Sequence, residues 1–298
     1  MAARSQRRVR LWRVPERPRP RLVLQDGERW LDLSELIGEA AEDLVGLLAA
    51  DFFGAARLDA YLSEGVWREV AAPERVLTPL EPRQVGKVLA LGKNVRAHAA
   101  EFGEEPPEEP MFFAKLPETL SAHGASVRVP HWYDGRFDHE AELAVVIGQG
   151  GSDIAPERAL AHVAGYTLAN DLTARTLQGR DRKQGHPWLR AKNFPGACPL
   201  GPCLVPRDHI DVADLRVTCR VQKAGVEAWE TRQDWSTRDW IHDVPAALAW
   251  ISRHLPLHPG DVVLMGTGEG VGPLEHGDTV VVAAEGIGEL ATTIERPG

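Results

Sequence analysis

Asp138-His139-Glu140-Ala141-Glu142-Leu143-Ala144-Val145-Val146-Ile147 is the stretch on which the reading of this chain turns. Side chains alternate between faces along a strand, so Glu140 and Glu142 project to one side while His139, Ala141, Leu143 and Val145 project to the other. Their neighbours on that side, Ala144 and Val146, are apolar. Two like charges beside core residues are unfavourable unless a cation or hydrogen-bond donors compensate them. A hard divalent cation such as Mg²⁺ or Mn²⁺ would do so, because these ions prefer carboxylate and water oxygens. Asp171, just after the apolar run Gly165 to Ala169, offers a third carboxylate. The competing reading is a solvated sheet face or pairing with arginines, the usual fate of an isolated Glu-x-Glu.

Working outward, the chain from Lys87 onward is dominated by short strand-like runs. These are Lys87 to Leu91, Met111 to Ala114, Ser126 to Val129, Gly165 to Ala169, Leu215 to Val221, Asp261 to Met265 and Thr279 to Ala283. Helices are few, the clearest being Pro156 to Val163 and Val244 to Leu255. Many short strands without regular alternation with helices argue for an α+β, β-rich sandwich, barrel or roll and against a doubly wound parallel sheet. Before that region, Val9 to Val14, Arg21 to Leu24 and Glu28 to Leu33 around the Asp26-Gly27 turn read as hairpin strands. Ser34 reads as the N-cap of a helix carrying Leu36, Ile37, Ala40, Leu44, Leu47 and Leu48, followed by a helix over Ala55 to Leu62. Pro73, Pro79 and Pro82 mark a linker. The expected division is a small α/β unit over 1–82 and a β-rich unit over 83–298.

Composition removes several classes of function. Of 298 residues, 43% are hydrophobic and 26% charged, and 34 Lys+Arg against 43 Asp+Glu give a net charge of -9. The longest apolar runs fall far short of the roughly 20 residues a membrane helix needs, and no apolar signal core follows the Arg-rich first residues. A cytoplasmic protein is expected. A nucleic-acid partner is not, since phosphate contacts need a clustered basic face. Cys198, Cys203 and Cys219 match no paired zinc spacing, and a disulfide framework is equally unexpected.

In Gly92-Lys93-Asn94-Val95-Arg96-Ala97-His98-Ala99-Ala100-Glu101-Phe102, a helical conformation puts His98 and Glu101 on one face, where the carboxylate can orient the imidazole and raise its basicity. That is the minimum equipment for general-base activation of water, although the same pair is common as a weak surface interaction. The loop Gly266-Thr267-Gly268-Glu269-Gly270-Val271-Gly272 lacks the glycine spacing and following helix of a dinucleotide fingerprint. Its glycines are read as permitting close backbone approach to a small substrate, with Thr267 offering a hydroxyl. The plainer alternative is a tight connection between strands.

Taken together, these segments and the runs Phe113 to Lys115, Asn170-Asp171 with Thr173 to Arg175 and Gln178, Pro187-Trp188, Ala191-Lys192, Cys198 to Pro202 and Pro259 to Asp261 resemble the fumarylacetoacetate hydrolase superfamily. Gly185 to Lys192 and the His98/Glu101 pair look most like its acylpyruvase and oxaloacetate decarboxylase branch. The resemblance implies a mixed β-sandwich roll, a homodimer and an Mg²⁺ or Mn²⁺ site. It places the metal ligands on Glu140, Glu142 and Asp171, and the catalytic His/Glu pair on His98 and Glu101, in a segment that orders as a lid in relatives. The active-site lysine falls on Lys192 and a second lysine on Lys115, with Asn94, Gln178 and Thr267 as further substrate-binding positions. Only six of the 34 basic residues are lysine, and Lys93, Lys115, Lys183 and Lys192 all lie in or near these motifs. A compact ammonium can neutralise a carboxylate or enolate where a planar guanidinium fits differently, although Lys93 and Lys183 also read as surface residues. Val95 stands where many relatives carry an aromatic residue, and Glu269 puts an acid in a loop where relatives often have a small or neutral one.

The implied reaction is metal-assisted cleavage of a C–C bond beside a carbonyl in a 2-oxo acid or 1,3-dicarbonyl compound, with decarboxylation of oxaloacetate as a related outcome. The alternatives are an isomerase/decarboxylase or hydratase of aromatic-catabolism intermediates on the same site, and a catalytically silent metal-binding or assembly protein.

Overall fold

The computed structural model describes residues 7–38, 43–65, 67–101, 103, 105 and 107–296. Met1 to Gln6 of the Arg-rich terminus, Ala40 of the expected first helix and Phe102 of the His98 segment lie outside the described residues.

Strand Ala141–Ile147 is buried along its whole length. Its two faces enter two different cores: Leu143, Val145 and Ile147 belong to one, Ala144 and Val146 to the other. The alternation expected from the sequence is therefore realised, with apolar packing on both sides. The expected single strand is, however, interrupted. Phe137–His139 pairs with Thr173–Ala174 and Gly272–Pro273 in a three-stranded sheet, while Ala141–Ile147 pairs elsewhere, and Glu140 sits at the break.

The ten-stranded sheet carries the site. Nine of its strands run in spatial order Arg29–Asp32, Arg21–Asp26, Val9–Val14, Cys198–Pro206, Val163–Asn170, Ala141–Ile147, Val262–Thr267, Val88–Gly92 and Met111–Lys115, and Leu120–Ser121 pairs with Cys198–Pro206 off this path. Most neighbours are antiparallel, but Val262–Thr267 runs parallel to Val88–Gly92. A five-stranded sheet, Trp229–Ser236, Arg216–Gln222, Thr279–Ala284, Gly288–Glu295 and Ala125–Arg128, contributes Val217, Cys219, Val280, Val282 and Leu290 to the first core. Helix Val244–His254 adds Leu248 and Ile251 to it.

The second core joins the beginning of the chain to the large sheet. Leu44, Leu48, Leu58 and Leu62 from helices Leu44–Ala49 and Ala55–Glu64 share it with Ala144, Val146 and Val262. Strand Val9–Val14 pairs with Cys198–Pro206 at Leu11 and Leu204, so strands from both sides of Pro82 lie in one sheet. Buried Arg13 reaches the proline-rich segment between them, donating to the Thr78 carbonyl at 2.8 Å and to Glu81 at 2.6 Å.

Several elements differ from the expectation. The helix expected from Ser34 through Leu48 is two pieces, Ser34–Ile37 and Leu44–Ala49, the second opened by Asp43, whose carboxylate accepts from the Gly46 N–H. Pro156–Ala159 is α-helical, but Leu160–His162 tightens to a 3₁₀ turn and Val163 already begins a strand. Strands Cys198–Pro206, Trp229–Ser236 and Gly288–Glu295 and helix Arg175–Lys183 were not anticipated. The three cysteines are free and buried, and burial pushes the thiols of Cys198 and Cys203 up to about 12.

Candidate active site

Four segments converge on Glu140, Glu142 and Asp171. Glu140 is turned by the strand break described above, and Glu142 lies near the start of Ala141–Ile147. Asp171 follows the end of Val163–Asn170, where the Asn170 side chain accepts from the Glu140 N–H at 2.9 Å. Ligand oxygens of the three acids lie within 4.8 Å of one another, and all three residues are buried. Lys192, at the end of helix Leu189–Lys192, bridges two of them, with Nζ 2.8 Å from Glu140 and 2.6 Å from Asp171. Lys115 closes the back. Its Nζ donates to the Lys192 carbonyl at 2.5 Å and stands 2.8 Å from Asp171 Oδ1, close enough to pair electrostatically although Oδ1 lacks a well-aligned donor.

Arg175 organises the other side. Its guanidinium donates to Glu140, to Asp138 at 2.8 Å and to the Gln178 side-chain Oε1 at 2.7 Å. The reading of these acids as arginine partners is thus correct for Glu140, and the solvated-face reading is not, since none of the three is exposed.

The acids differ in charge preference. Burial pushes both glutamates toward the neutral form. At Glu140 the Lys192 ammonium and Arg175 guanidinium outweigh it and hold the carboxyl far below its usual range. At Glu142 the neighbouring Asp171 and Glu140 add to burial, and its carboxyl is raised well above the usual value despite Lys192 and a 2.6 Å hydrogen bond from the Gly266 N–H. Burial also disfavours a charged Lys192, but Asp171 and Glu140 overcome it and raise its pKa.

Glu142 is therefore the acid short of a counter-charge. An all-oxygen trio this compact, with one carboxyl pushed toward the neutral form for want of positive charge, fits a hard divalent cation. Glu140, Glu142 and Asp171 would hold it.

Above the acids opens a cavity of about 260 Å³ whose lining includes Lys93, His98, Phe113, Glu140, Glu142, Arg175, Gln178, Arg182, Trp188, Lys192 and Thr267. His98 and Glu101 do share a helix, Arg96–Glu101, with Nδ1 3.4 Å from Glu101 Oε2. Glu101 is held from its other oxygen by the Gly270 N–H at 3.2 Å. The glycine loop thus brings backbone N–H groups to Glu142 and Glu101. Gly266 has φ 91, and a Cβ there would stand 2.9 Å from the Asn94 Cβ, so both conformation and space favour glycine.

The remaining expected site residues fall into two groups. Gln178 and Thr267 line the cavity. Asn94 and Lys115 are buried outside its lining. The Asn94 amide is spent on backbone, donating to the His242 and Met265 carbonyls and accepting from the His242 N–H at 2.8 to 2.9 Å. Val95 is buried and bridges to Trp240, and Glu269 is exposed.

Two contributors escaped the sequence reading. Gln233 is 1% exposed and donates to Thr267 Oγ1 at 2.8 Å and the Gly268 carbonyl at 2.9 Å, while its oxygen accepts from the Ala141 N–H at 3.0 Å. Asp138 anchors Arg175 and is itself fully buried. The buried charge of Asp138 was visible in the opening stretch, but nothing in the sequence singled out Gln233.

A family model described as fumarylacetoacetate (FAA) hydrolase C-terminal matches residues 87–295. The mitochondrial oxaloacetate tautomerase FAHD1 of Arabidopsis thaliana is 36% identical over 214 residues, covering 72% of this chain and 93% of the relative. Among solved structures, the 5-carboxymethyl-2-hydroxymuconate delta-isomerase of Mycobacterium smegmatis matches with a TM-score of 0.73 and 32% identity, over 97% of this chain and 99% of that one. The fumarylpyruvate hydrolase of Pseudomonas aeruginosa, solved with Mn²⁺ and pyruvate, matches with a TM-score of 0.67 and 33% identity, over 76% of this chain and 94% of that one. Fold and site together define a β-rich α+β protein of an enzyme superfamily whose named members include hydrolases, isomerases and tautomerases. The chain belongs to the fumarylacetoacetate hydrolase family.

Proposed function

We propose that this chain is a divalent-cation-dependent enzyme of 2-oxo acids and that its primary reaction is keto–enol proton transfer on oxaloacetate. The observation that carries the reading is the placement of Lys192 between Glu140 and Asp171, on the floor of a cavity that His98 also lines. The similarity to a protein named oxaloacetate tautomerase supports the choice of reaction.

Held by Glu140, Glu142 and Asp171, Mg²⁺ or Mn²⁺ would supply Lewis-acid polarisation of the substrate's oxygens. The chain's own residues do the rest. Arg175 and Gln178 orient the substrate's 2-oxo carboxylate, with Thr267 in the cavity wall beside them. Lys192 offsets the negative charge that develops on the 2-oxo oxygen, acting as a preorganised donor in a site shielded from water. His98, with Nδ1 turned to Glu101, accepts the C3 proton at Nε2. The C3–H electron pair becomes the C2–C3 double bond, the C2=O π pair moves onto the oxygen, and the His98 imidazolium returns its proton to that oxygen; ketonisation runs the same path backward.

Hydrolysis of an acylpyruvate is the second reading, favoured by the His98–Glu101 pair itself, which is equipped to deprotonate a water for attack on a distal carbonyl. In either reading the catalytic unit spans 83–298, the first 82 residues complete its sheet, and the chain works as a homodimer.

The test follows the ultraviolet absorbance of enol-oxaloacetate with Mg²⁺ or Mn²⁺ and again with chelator, alongside pyruvate release from acylpyruvates. Chelator-sensitive acceleration of enol decay is the expected result. Pyruvate release from acylpyruvates without any acceleration of enol decay would replace the first reading with the second. No effect on either, together with no binding of Mg²⁺ or Mn²⁺, would point to a silent protein on this fold.

A further inference from the structure

Glu140 is held from two helices at once. Its Oε1 accepts from Arg175 of helix Arg175–Lys183, and its Oε2 accepts from Lys192 Nζ of helix Leu189–Lys192. The second helix is a single turn, too short to hold a direction by its own hydrogen bonds. Its bearing comes from its attachments. On one side they lead to strand Met111–Lys115: the Asn193 amide donates to the Leu189 carbonyl at 2.8 Å and the Ala114 carbonyl at 3.0 Å, and Lys115 reaches the Lys192 carbonyl. On the other side stands an ion pair. Arg190 donates through Nε to Asp181 Oδ2 at 2.8 Å and through Nη2 to Oδ1, a two-pronged geometry that fixes direction as well as distance.

Asp181 is suited to be the fixed end of this tie. It lies in the last turn of helix Arg175–Lys183 and is fully buried. The chain reverses directly after it, with Gly185 in the left-handed region at φ 69, the His186 N–H on the Asp181 carbonyl at 2.8 Å and the Gly185 N–H on the Arg182 carbonyl at 3.1 Å, the bonding of a Schellman close. The Arg190 guanidinium holds the Asp181 carboxyl below its usual range. Glu140, Arg175, Asp181, Arg190 and Lys192 thus close a ring: each helix brings one cation to Glu140, and the Asp181–Arg190 pair ties the helices to each other.

We propose that Asp181 and Arg190 are positioning residues that keep the Lys192 ammonium between Glu140 and Asp171 when a divalent cation occupies the acids. This rests on the metal-dependent reading above. An ammonium on a flexible four-carbon stem and an arriving cation repel each other and compete for the same carboxylate oxygens. Held in place, the ammonium weakens cation binding and remains as a donor at the reacting centre. Released, it withdraws, so that the cation binds more tightly and the donor is lost. A positioning role therefore moves metal affinity up and turnover down, whereas general loosening of the fold weakens both.

The experiment measures Mn²⁺ dissociation constants by electron paramagnetic resonance of the free ion, together with kcat and KM for oxaloacetate and acylpyruvates. The variants are Arg190→Gln, Arg190→Lys and the double variant Asp181→Ala/Arg190→Ala. The double variant leaves no buried carboxylate unpaired, which covers the case in which Arg190→Gln fails to fold. Arg190→Gln and the double variant are expected to bind Mn²⁺ about threefold to tenfold more tightly. Their kcat should fall about tenfold or more while KM stays within about twofold. Arg190→Lys, which keeps the charge without the fork, should lie between these and wild type. Unchanged or weaker Mn²⁺ binding in the folded variants would overturn the proposal, as would tighter binding with wild-type kcat. Tighter Mn²⁺ binding in the variants of a protein that turns over neither substrate would sustain the hold on Lys192 and sink the proposed reaction instead.

Discussion

The floor and the mouth of the cavity are built by opposite means. At the floor, Glu140, Glu142, Asp171, Lys115 and Lys192 are each at most 4% exposed, are fixed by strand ends and one short helix, and, Glu142 apart, neutralise one another. At the mouth, Glu101 keeps 29% of its side chain exposed, His98 rides on a six-residue helix, and Arg182 faces solvent. A buried charge whose partner is removed becomes very costly, whereas a surface charge is worth little. The floor therefore couples stability to chemistry, and the mouth separates them.

Lys192→Met tests that coupling most severely. It leaves Glu140 and Asp171 without their shared ammonium in a closed environment, and the expected loss of stability is about 3–5 kcal/mol, read from urea denaturation. Turnover should fall by at least about 10²-fold, as expected for loss of a preorganised electrostatic group. A variant with wild-type activity would remove Lys192 from the mechanism.

His98→Asn should dissociate the two effects. Turnover is expected to fall by about 10²–10⁴-fold, the range of general acid–base contributions, while Mn²⁺ affinity and the urea midpoint stay near wild type. If Mn²⁺ affinity fell with turnover, His98 would belong to the floor and the division between the regions would fail.

The same division explains how much was legible beforehand. Floor residues announce themselves because acids and lysines are conspicuous within apolar runs. Alternation alone places Glu140 and Glu142 on one side of a strand, the end of an apolar run offers Asp171 as a third carboxylate, and the resemblance adds Lys192. Alternation did not reveal the break at Glu140, because a change of pairing partner is a tertiary event that leaves the local pattern intact. Strand Trp229–Ser236 escaped for a related reason. It turns Gln233 and Trp235 inward and Glu230 and Asp234 outward, so one of its buried positions is an amide and no apolar alternation forms. The split of the expected first helix is a capping effect. Asp43 offers a side-chain acceptor in the middle of a helical pattern, and such residues favour helix starts over helix interiors.

Gln233 extends the comparison to the layer behind the floor. Gln233→Leu removes the donor to Thr267 and to the Gly268 carbonyl and the acceptor of the Ala141 N–H, leaving these buried groups without that partner at a cost of about 1–3 kcal/mol. Because Thr267 still donates to the Ala141 carbonyl at 2.9 Å, turnover should fall less than in His98→Asn. A stability loss with unchanged kcat and KM would make Gln233 purely architectural.

The smallest effect concerns how the mouth is anchored. The backbone of His242 holds both ends of the Asn94 amide, and Asn94 stands two residues before the helix that carries His98. Burial depresses the imidazole pKa of His242 from 6.5, with Asp243 opposing it only in part. Its folded pKa thus lies below the unfolded value, and between the two the unfolded chain binds more protons. The contribution to stability is complete above about pH 6.5 and is lost as pH falls through the depressed value. His242→Gln should therefore flatten part of the decline in urea midpoint below that pH while leaving the neutral-pH midpoint nearly unchanged. An undiminished decline in the variant would assign the acid sensitivity to other groups and leave His242 as a backbone anchor alone.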